Sequence, residues 1–451
     1  MVTRTRVWVL VALAGGSFGC GPSGTEGAAS ADSSAIAALG LATEAPSSAD
    51  ALALRVEGHQ GLRRALDLYD AADRSEDPQG WENFVDEVGG ARDTSKARLF
   101  WETDLARAKA EAERRRLPIL SLRMLGDLRD ELSCANSRFF RTTLYADPEV
   151  SGVLRENFVL HWSSERDVPV VEITFGDGRS IKTTTTGNSI HYLLDAEGMV
   201  LDAAPGLYTP GGFKRVLEEM RTLAQQVGEQ GAEGGDLVRA HHGRAQAQAQ
   251  VELARWWKDY AMSAEPALLS NSLDRFVLGP KPRLASASVG ALDAQRTTAS
   301  KAMIEAPTLR ALGVRETPPP PNERNLDRML AELTGLGTLT VSLSEPTLAL
   351  IRRDRPRRPG ESESDHEARI LAMMRRFQSS IITDELKNEY DLRLSLHGWL
   401  ADDQTDRSLE VFNERVYREL FLTPASDPWL GLVDNETYDG LVEAGITRIP
   451  G

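Results

Sequence analysis

The chain has 451 residues, enough for two or three domains of ordinary size. Hydrophobic residues make up 41% of it and charged residues 26%, which is typical of a folded globule and excludes a largely disordered chain. Acidic residues outnumber basic ones by 67 to 52, giving a formal net charge of -15. This charge argues against nucleic acid as a partner, because binding a phosphate backbone needs a basic face.

The N-terminus has the pattern of an export signal. Arg4 and Arg6 form a positively charged start, and residues 7–14 are an apolar run that is too short to span a bilayer. Small residues follow, up to Gly19 and Cys20. We therefore predict that residues 1–19 are a signal peptide.

The residues before Cys20 resemble the signal of bacterial lipoproteins, in which this cysteine becomes the lipidated first residue of the mature chain. Ser17 departs from the pattern, since an aliphatic residue is usual there. The resemblance implies an exported protein of the periplasm or outer membrane, attached to the membrane by a lipid anchor at Cys20. Plain periplasmic secretion is the alternative. Residues 20–50, rich in Ala, Ser and Gly, are predicted to be a flexible tether.

Residues 51–96 are predicted to be a helical preface that packs on the domain after it. Two apolar stripes at helical spacing support this prediction: Leu62, Ala65, Leu66 and Tyr69, and then Trp81, Phe84 and Val85.

Residues 97–228 are predicted to form an α/β domain with a central mixed sheet flanked by helices. Its predicted elements are a helix over 97–116, a strand over 118–122, helices over 134–144 and 147–156, strands over 158–162 and 170–175, a hairpin of strands 190–195 and 199–201, and a helix over 210–227.

This order of elements resembles the thioredoxin fold, and in particular thioredoxin-like proteins that open with a tryptophan, an Ala-rich helix and a strand beginning with proline. The matching residues are Trp101, Ala106, Ala108, Ala112, Pro118, Ile119 and Leu120, then Asp147 to Val150 with Asn157 to Val159, and Leu194 to Gly198. The resemblance covers little more than a quarter of the chain.

Two departures from the thioredoxin pattern concern function. Thioredoxins carry Cys-x-x-Cys, but here Cys134 is followed by Ser137, so an internal disulfide cycle is impossible. Thioredoxins also place a cis-proline opposite the thiol, where this chain has Asn188 and Ser189. Ordinary dithiol reductase activity is therefore not expected.

Cys134 is one of only two cysteines, so it has no partner within the chain if Cys20 is lipidated. With Ser133 as the predicted N-cap, Cys134 falls in the first turn of a helix, where the helix dipole and unpaired N–H groups stabilise a thiolate. Such a monothiol can form a mixed disulfide with an outside thiol. Alternatively, Cys134 packs as a small hydrophobe beside Phe139 and Phe140.

The candidate catalytic residues are thus Cys134 and Ser137, and the candidate binding residues around them are Asn136, Arg138, Asn188 and Ser189. The hydroxyls and amides in this set are also explained as caps and turn formers. His161 and His191 are expected to be strand histidines near the surface, with pairing to Cys134 as the less favoured alternative.

Residues 229–236 are predicted to be a linker, and residues 237–451 a mostly helical C-terminal domain. His241 and His242 are interpreted as a solvated pair. Glu385, Glu389 and His397 recur at helical spacing, but one helix cannot complete a metal coordination shell. No metal site and no cofactor are predicted.

Two functions remain open from sequence alone. The first is thiol–disulfide exchange or thiol-dependent binding at Cys134, with an envelope protein thiol or disulfide as partner. The second is a non-catalytic scaffold or binding protein at the cell envelope. A weaker third option is a metal-dependent hydrolase in the helical half, which requires that Glu385, Glu389 or His397 meet carboxylates of a second helix.

Overall fold

The structure is a computed structural model that describes residues 44–231, 234–263, 291–295, 297–311 and 341–432, with the isolated positions 440, 442 and 446. The predicted signal peptide, Cys20 and most of the tether lie outside these residues. Residues from Ser48 onward, at the end of the predicted tether, are helical. Within the described part of the chain, no helix is both long and apolar enough to cross a membrane.

The strands are Trp101–Glu102 (β1), Ile119–Leu125 (β2), Val159–Arg166 (β3), Val170–Thr174 (β4), Ser180–Thr184 (β5), Ile190–Leu194 (β6) and Val200–Pro205 (β7). Five of them form one sheet in the order β1-β3-β2-β6-β7, in which only β6 runs against the others. Strands β4 and β5 form a separate antiparallel pair. The predicted mixed α/β class is therefore confirmed.

The N-terminal helices are Ser48–Val56 (α1), His59–Ala71 (α2), Pro78–Gly89 (α3), Thr94–Ala97 (α4), Leu105–Arg115 (α5), Ala135–Phe139 (α6), which continues as a π-helical turn over Phe140–Leu144, Pro148–Asn157 (α7) and Pro210–Gln230 (α8). The apolar stripes predicted for the preface are buried in α2 and α3. Their core is distinct from that of the sheet, and Arg55 joins the two by donating to the carbonyl oxygens of Val88 and Trp101.

The C-terminal helices are Gly234–Ser263 (α9), Ala291–Gln295 (α10), Ala299–Ala311 (α11), Glu345–Asp354 (α12), Glu363–Lys387 (α13), Arg393–Ala401 (α14) and Leu409–Arg415 (α15). Two π-helical turns, Asn388–Leu392 and Val416–Leu420, continue α13 and α15. Helices α8 and α9 extend into the predicted linker from both sides, leaving only residues 231–233 between them.

The prediction of one helix over 97–116 is wrong. Arg98 ends α4 with a positive φ of 53°, and Trp101 then pairs with Leu160 in the parallel ladder between β1 and β3. Asp104 caps the next helix, α5, with its side chain. The apolar spacing of Trp101 is compatible with a helix, but strand pairing that places the indole in the core determines its conformation.

The main core is shared between the sheet and the C-terminal helices. Its buried cluster includes Tyr192 on β6 together with Leu396 on α14 and Phe412 on α15. The ring centroid of Phe412 lies 6.1 Å from that of Tyr192 and 6.1 Å from that of Trp399. The C-terminal helices therefore cover apolar surface of the sheet that would otherwise face water.

We expect Phe412→Ala to destabilise the whole protein by about 3–5 kcal/mol, the usual cost of removing a buried aromatic ring. Val411→Ala is the matched control, because Val411 is 51% exposed on the same helix. Urea denaturation measures both. Equal stability of the two variants would contradict the shared core.

Candidate functional site

Cys134 lies at the start of α6 but has no exposed surface. It is itself the N-cap, so the prediction that Ser133 is the cap is off by one residue. The Sγ atom lies 3.1 Å from Oγ of Ser189. Phe140 belongs to the same buried cluster as Cys134, and therefore the thiol sits in the protein core.

Gly187 permits this close packing. A Cβ atom at position 187 would lie 2.2 Å from Cβ of Cys134, a distance that no side chain tolerates. The segment before β6 therefore runs directly against the thiol, and it brings Ser189 within hydrogen-bonding distance.

Of the other predicted site residues on α6, Ser137 and Arg138 bond to the chain itself, whereas the side chain of Asn136 has no partner among the described residues. The Ser137 hydroxyl donates to the carbonyl oxygen of Cys134 at 2.8 Å, and Arg138 donates to Oγ1 of Thr184 at 3.1 Å. Asn136 is fully buried, and neither amide atom of its side chain has a hydrogen-bond partner among the described residues.

Both amide atoms of the Asn188 side chain are hydrogen-bonded within the chain. Oδ1 accepts from Nζ of Lys301 at 2.6 Å and from Oγ1 of Thr297 at 3.2 Å. Nδ2 donates to the carbonyl oxygens of Ala294 and Phe421, and the backbone oxygen of Asn188 accepts from the Tyr417 hydroxyl. The Thr297 hydroxyl has one hydrogen, which it also directs at the carbonyl oxygen of Ala294 at 2.9 Å, so Lys301 is the main donor to Oδ1.

Two buried charged residues on α11 contribute to the surroundings of Cys134, although no sequence pattern indicates them. Lys301 and Glu305 lie one turn apart, and each is at most 1% exposed. Burial lowers the pKa of Lys301, and the charge of Glu305 opposes this shift. Burial raises the pKa of Glu305, and the charge of Lys301 opposes that shift. Glu305 accepts from the backbone N–H of Thr186 at 3.0 Å, close to Gly187. Only the tertiary contact reveals these residues, because no motif surrounds them.

Asp384 binds the N-terminal end of α11, although it lies about 85 positions later in the chain. This fully buried carboxylate on α13 accepts from the backbone N–H of Ala299 and Ser300 and from the Ser300 hydroxyl. Burial raises the pKa of Asp384 to about 7, although these donors oppose the shift.

The two strand histidines are buried, so the prediction that they lie near the surface is wrong. His161 accepts from or donates to Ser121 at 2.8 Å, and Nε2 of His191 lies 2.6 Å from the Tyr145 hydroxyl. Burial lowers the pKa of His161 to about 4 and that of His191 to about 3. These bonds offset part of the cost of burying the two polar rings, although Nδ1 of His191 has no partner among the described residues.

The interpretation of His241 and His242 as a solvated pair is also wrong for His242, which is fully buried. Its Nδ1 atom lies 2.8 Å from Nδ1 of His397, and Asp202 is close to both rings. The His242 partner comes from 155 positions further along the chain, so no local spacing could indicate it. Glu389 and Arg393, four positions apart on the chain, form an ion pair at 3.1 Å.

Comparisons with known proteins place the chain in no group: no protein-family model, curated protein or solved structure matches it.

We expect Asn188→Ala to cost about 3 kcal/mol or more, because it leaves the buried Lys301 ammonium without its amide acceptor. Asn136→Ala is the matched control, since Asn136 is equally buried but unbonded among the described residues. Its cost should be smaller by at least about 1 kcal/mol. Urea denaturation compares the two, and equal losses would mean that the Asn188 bonds add no stability.

Asp384 should make stability fall as the pH rises. Its pKa is about 7 in the folded protein and near 3.8 in an unfolded chain, so between these values the folded state holds an extra proton. The corresponding stabilisation is complete below pH 3.8 and lost by about pH 7, with a slope of at most about 1.4 kcal/mol per pH unit.

Asp384→Asn mimics the protonated carboxyl and should flatten this part of the profile. The measurement is the difference in unfolding free energy between about pH 5 and pH 7.5, compared with the wild type. Asp403→Asn serves as the control, because Asp403 is exposed. If the unfolding free energy of Asp384→Asn depends on pH as strongly as that of the wild type, other groups cause the pH dependence.

Proposed function

We propose that this protein is an exported, lipid-anchored envelope protein in which a thioredoxin-like sheet serves as a non-catalytic scaffold. The strand order β1-β3-β2-β6-β7, with β6 alone antiparallel to the others, supports the resemblance to thioredoxins on which this proposal rests. The positive and apolar N-terminus ending at Cys20 supports export and anchoring.

The complete burial of Cys134 is the observation that favours a scaffold function over thiol chemistry. Thiol–disulfide exchange requires that a thiolate reach a sulfur atom of the partner, so an inaccessible thiol does not react. Ser137 stands where a resolving cysteine would be, and its hydroxyl is engaged by the backbone of Cys134. Both features favour a structural role for the thiol.

The C-terminal helices occupy the space beside the thiol in this proposal. Asn188 and Ser189 stand where the resemblance to thioredoxins expects the cis-proline that shapes the substrate groove, and the described peptide bonds are all trans. Asn188 is bonded to Lys301, Thr297 and Tyr417 of the chain's own C-terminal half. The groove is therefore filled from within, which leaves contacts with envelope partners to other surfaces.

Alkylation of Cys134 tests the proposal. The full chain carrying Cys20→Ser has Cys134 as its only thiol, and we expect iodoacetamide to label it in the native state at least about a hundredfold more slowly than in denaturing urea, because labelling needs local opening. Cys20→Ser combined with Cys134→Ala sets the background. Comparable native and denatured rates would remove the scaffold proposal and restore the monothiol mechanism.

A further inference from the structure

Three buried side chains from distant parts of the sequence converge beside the sheet. Asp202 lies on β7, His242 on α9 and His397 on α14. Each offers one potential ligand atom, and these atoms all lie within 4.8 Å of one another. Helices α9 and α14 pack against each other, and α14 packs on β7, so the fold itself holds the three groups together.

The hydrogen bond of His242 determines which ring nitrogen is available. Its Nε2 atom lies 2.8 Å from the carbonyl oxygen of Leu201, which can only accept, so Nε2 carries the hydrogen. In a neutral ring Nδ1 then has a free lone pair, and it points at Nδ1 of His397. Metal-bound histidines usually donate their second ring nitrogen to a backbone carbonyl or carboxylate in this way.

Asp202 brings a carboxylate to the same place, where it contacts the Arg393 guanidinium at 3.0 Å. In the metal-free protein His397 donates its Nδ1 hydrogen to the lone pair of His242 Nδ1. If His397 carries its hydrogen on Nε2 instead, two nitrogen lone pairs and one carboxylate face the same point.

The surrounding charge favours a cation despite the presence of Arg393. Its guanidinium contacts Asp202 at 3.0 Å, Glu389 at 3.1 Å and Glu219 at 3.6 Å. Three carboxylates thus face one guanidinium and leave a formal excess of two negative charges. A divalent cation beside neutral histidines would balance this excess.

A cavity of about 710 Å³ reaches the cluster from one side. His397, Arg393 and His241 line it, together with Glu219 and Glu389, whereas Asp202 and His242 are not among its lining residues. The volume is in the range of small-molecule sites. The cavity would give a bound ion an open fourth coordination position for water or an outside ligand.

We propose that Asp202, His242 and His397 form a binding site for a divalent transition metal, with Zn²⁺ the best-suited ion, and that its fourth position opens into this cavity. Nitrogen and carboxylate ligands suit zinc, and three protein ligands with one open position are typical of zinc sites that interact with an outside molecule. At zinc–nitrogen distances of about 2.0–2.1 Å the two Nδ1 atoms must move apart by roughly half an ångström. In the metal-free protein they share one N–H···N hydrogen bond.

Cobalt titration tests the site without knowledge of any outside ligand. The full chain, purified without a histidine tag and treated with a chelator, should bind one equivalent of Co²⁺ with the intense visible absorption of a four-coordinate ion. One equivalent of Zn²⁺ should displace it. Wild-type protein without such absorption, or without displacement by zinc, would overturn the proposal.

His397→Gln is the site variant. Glutamine can still donate a hydrogen bond to Nδ1 of His242, which favours a folded protein, but it removes the imidazole ligand and should weaken metal binding at least tenfold. His241→Ala is the matched control, because His241 lines the same cavity but is outside the cluster. It should bind as the wild type does. Wild-type affinity in His397→Gln would overturn the proposal.

X-ray absorption of the zinc-loaded wild type keeps the proposal testable if His397→Gln fails to fold. Scattering from two imidazole rings and no sulfur is the expected result. A sulfur ligand, or a coordination shell made only of oxygen atoms, would show that zinc binds elsewhere and would overturn the proposal.

Discussion

The arrangement around Cys134 depends on one buried amide, that of Asn188. Its side chain binds Lys301, Thr297 and two backbone carbonyls, and its backbone oxygen binds Tyr417. Each of these partners lies in the C-terminal half of the chain. An ammonium group without exposed surface needs close acceptors, so Lys301 makes this contact energetically important. The segment against the thiol is thereby fixed by residues more than 100 positions away.

Much of the sheet could be predicted from sequence because its signals are local. Short, mostly apolar runs such as residues 118–122 and 190–195 indicate buried strands, and Pro148 behind Asp147 marks a helix start. The apolar stripes of the predicted preface, which include Leu66 and Phe84, are likewise buried. In these segments, intrinsic preference and tertiary packing favour the same conformation.

The surroundings of the candidate sites could not be predicted, because distant residues create them. Cys134 begins a helix as expected, but its burial depends on contacts of residues 186–189 with the C-terminal half. The sequence predicts a solvated His242, but the residue is buried beside His397 and Asp202. The spacing of apolar residues predicts whether a segment is a helix or a strand, but it does not predict which residues pack on each face.

The C-terminal helices and the sheet share one core, so they should unfold as one cooperative unit. Native-state hydrogen exchange in increasing urea measures this by comparing amides of β6 with amides of α14. We expect both sets to exchange only by the same global unfolding, with one free energy and one urea dependence. Exchange of α14 at a clearly lower free energy, with β6 still protected, would show instead that the helical half opens alone.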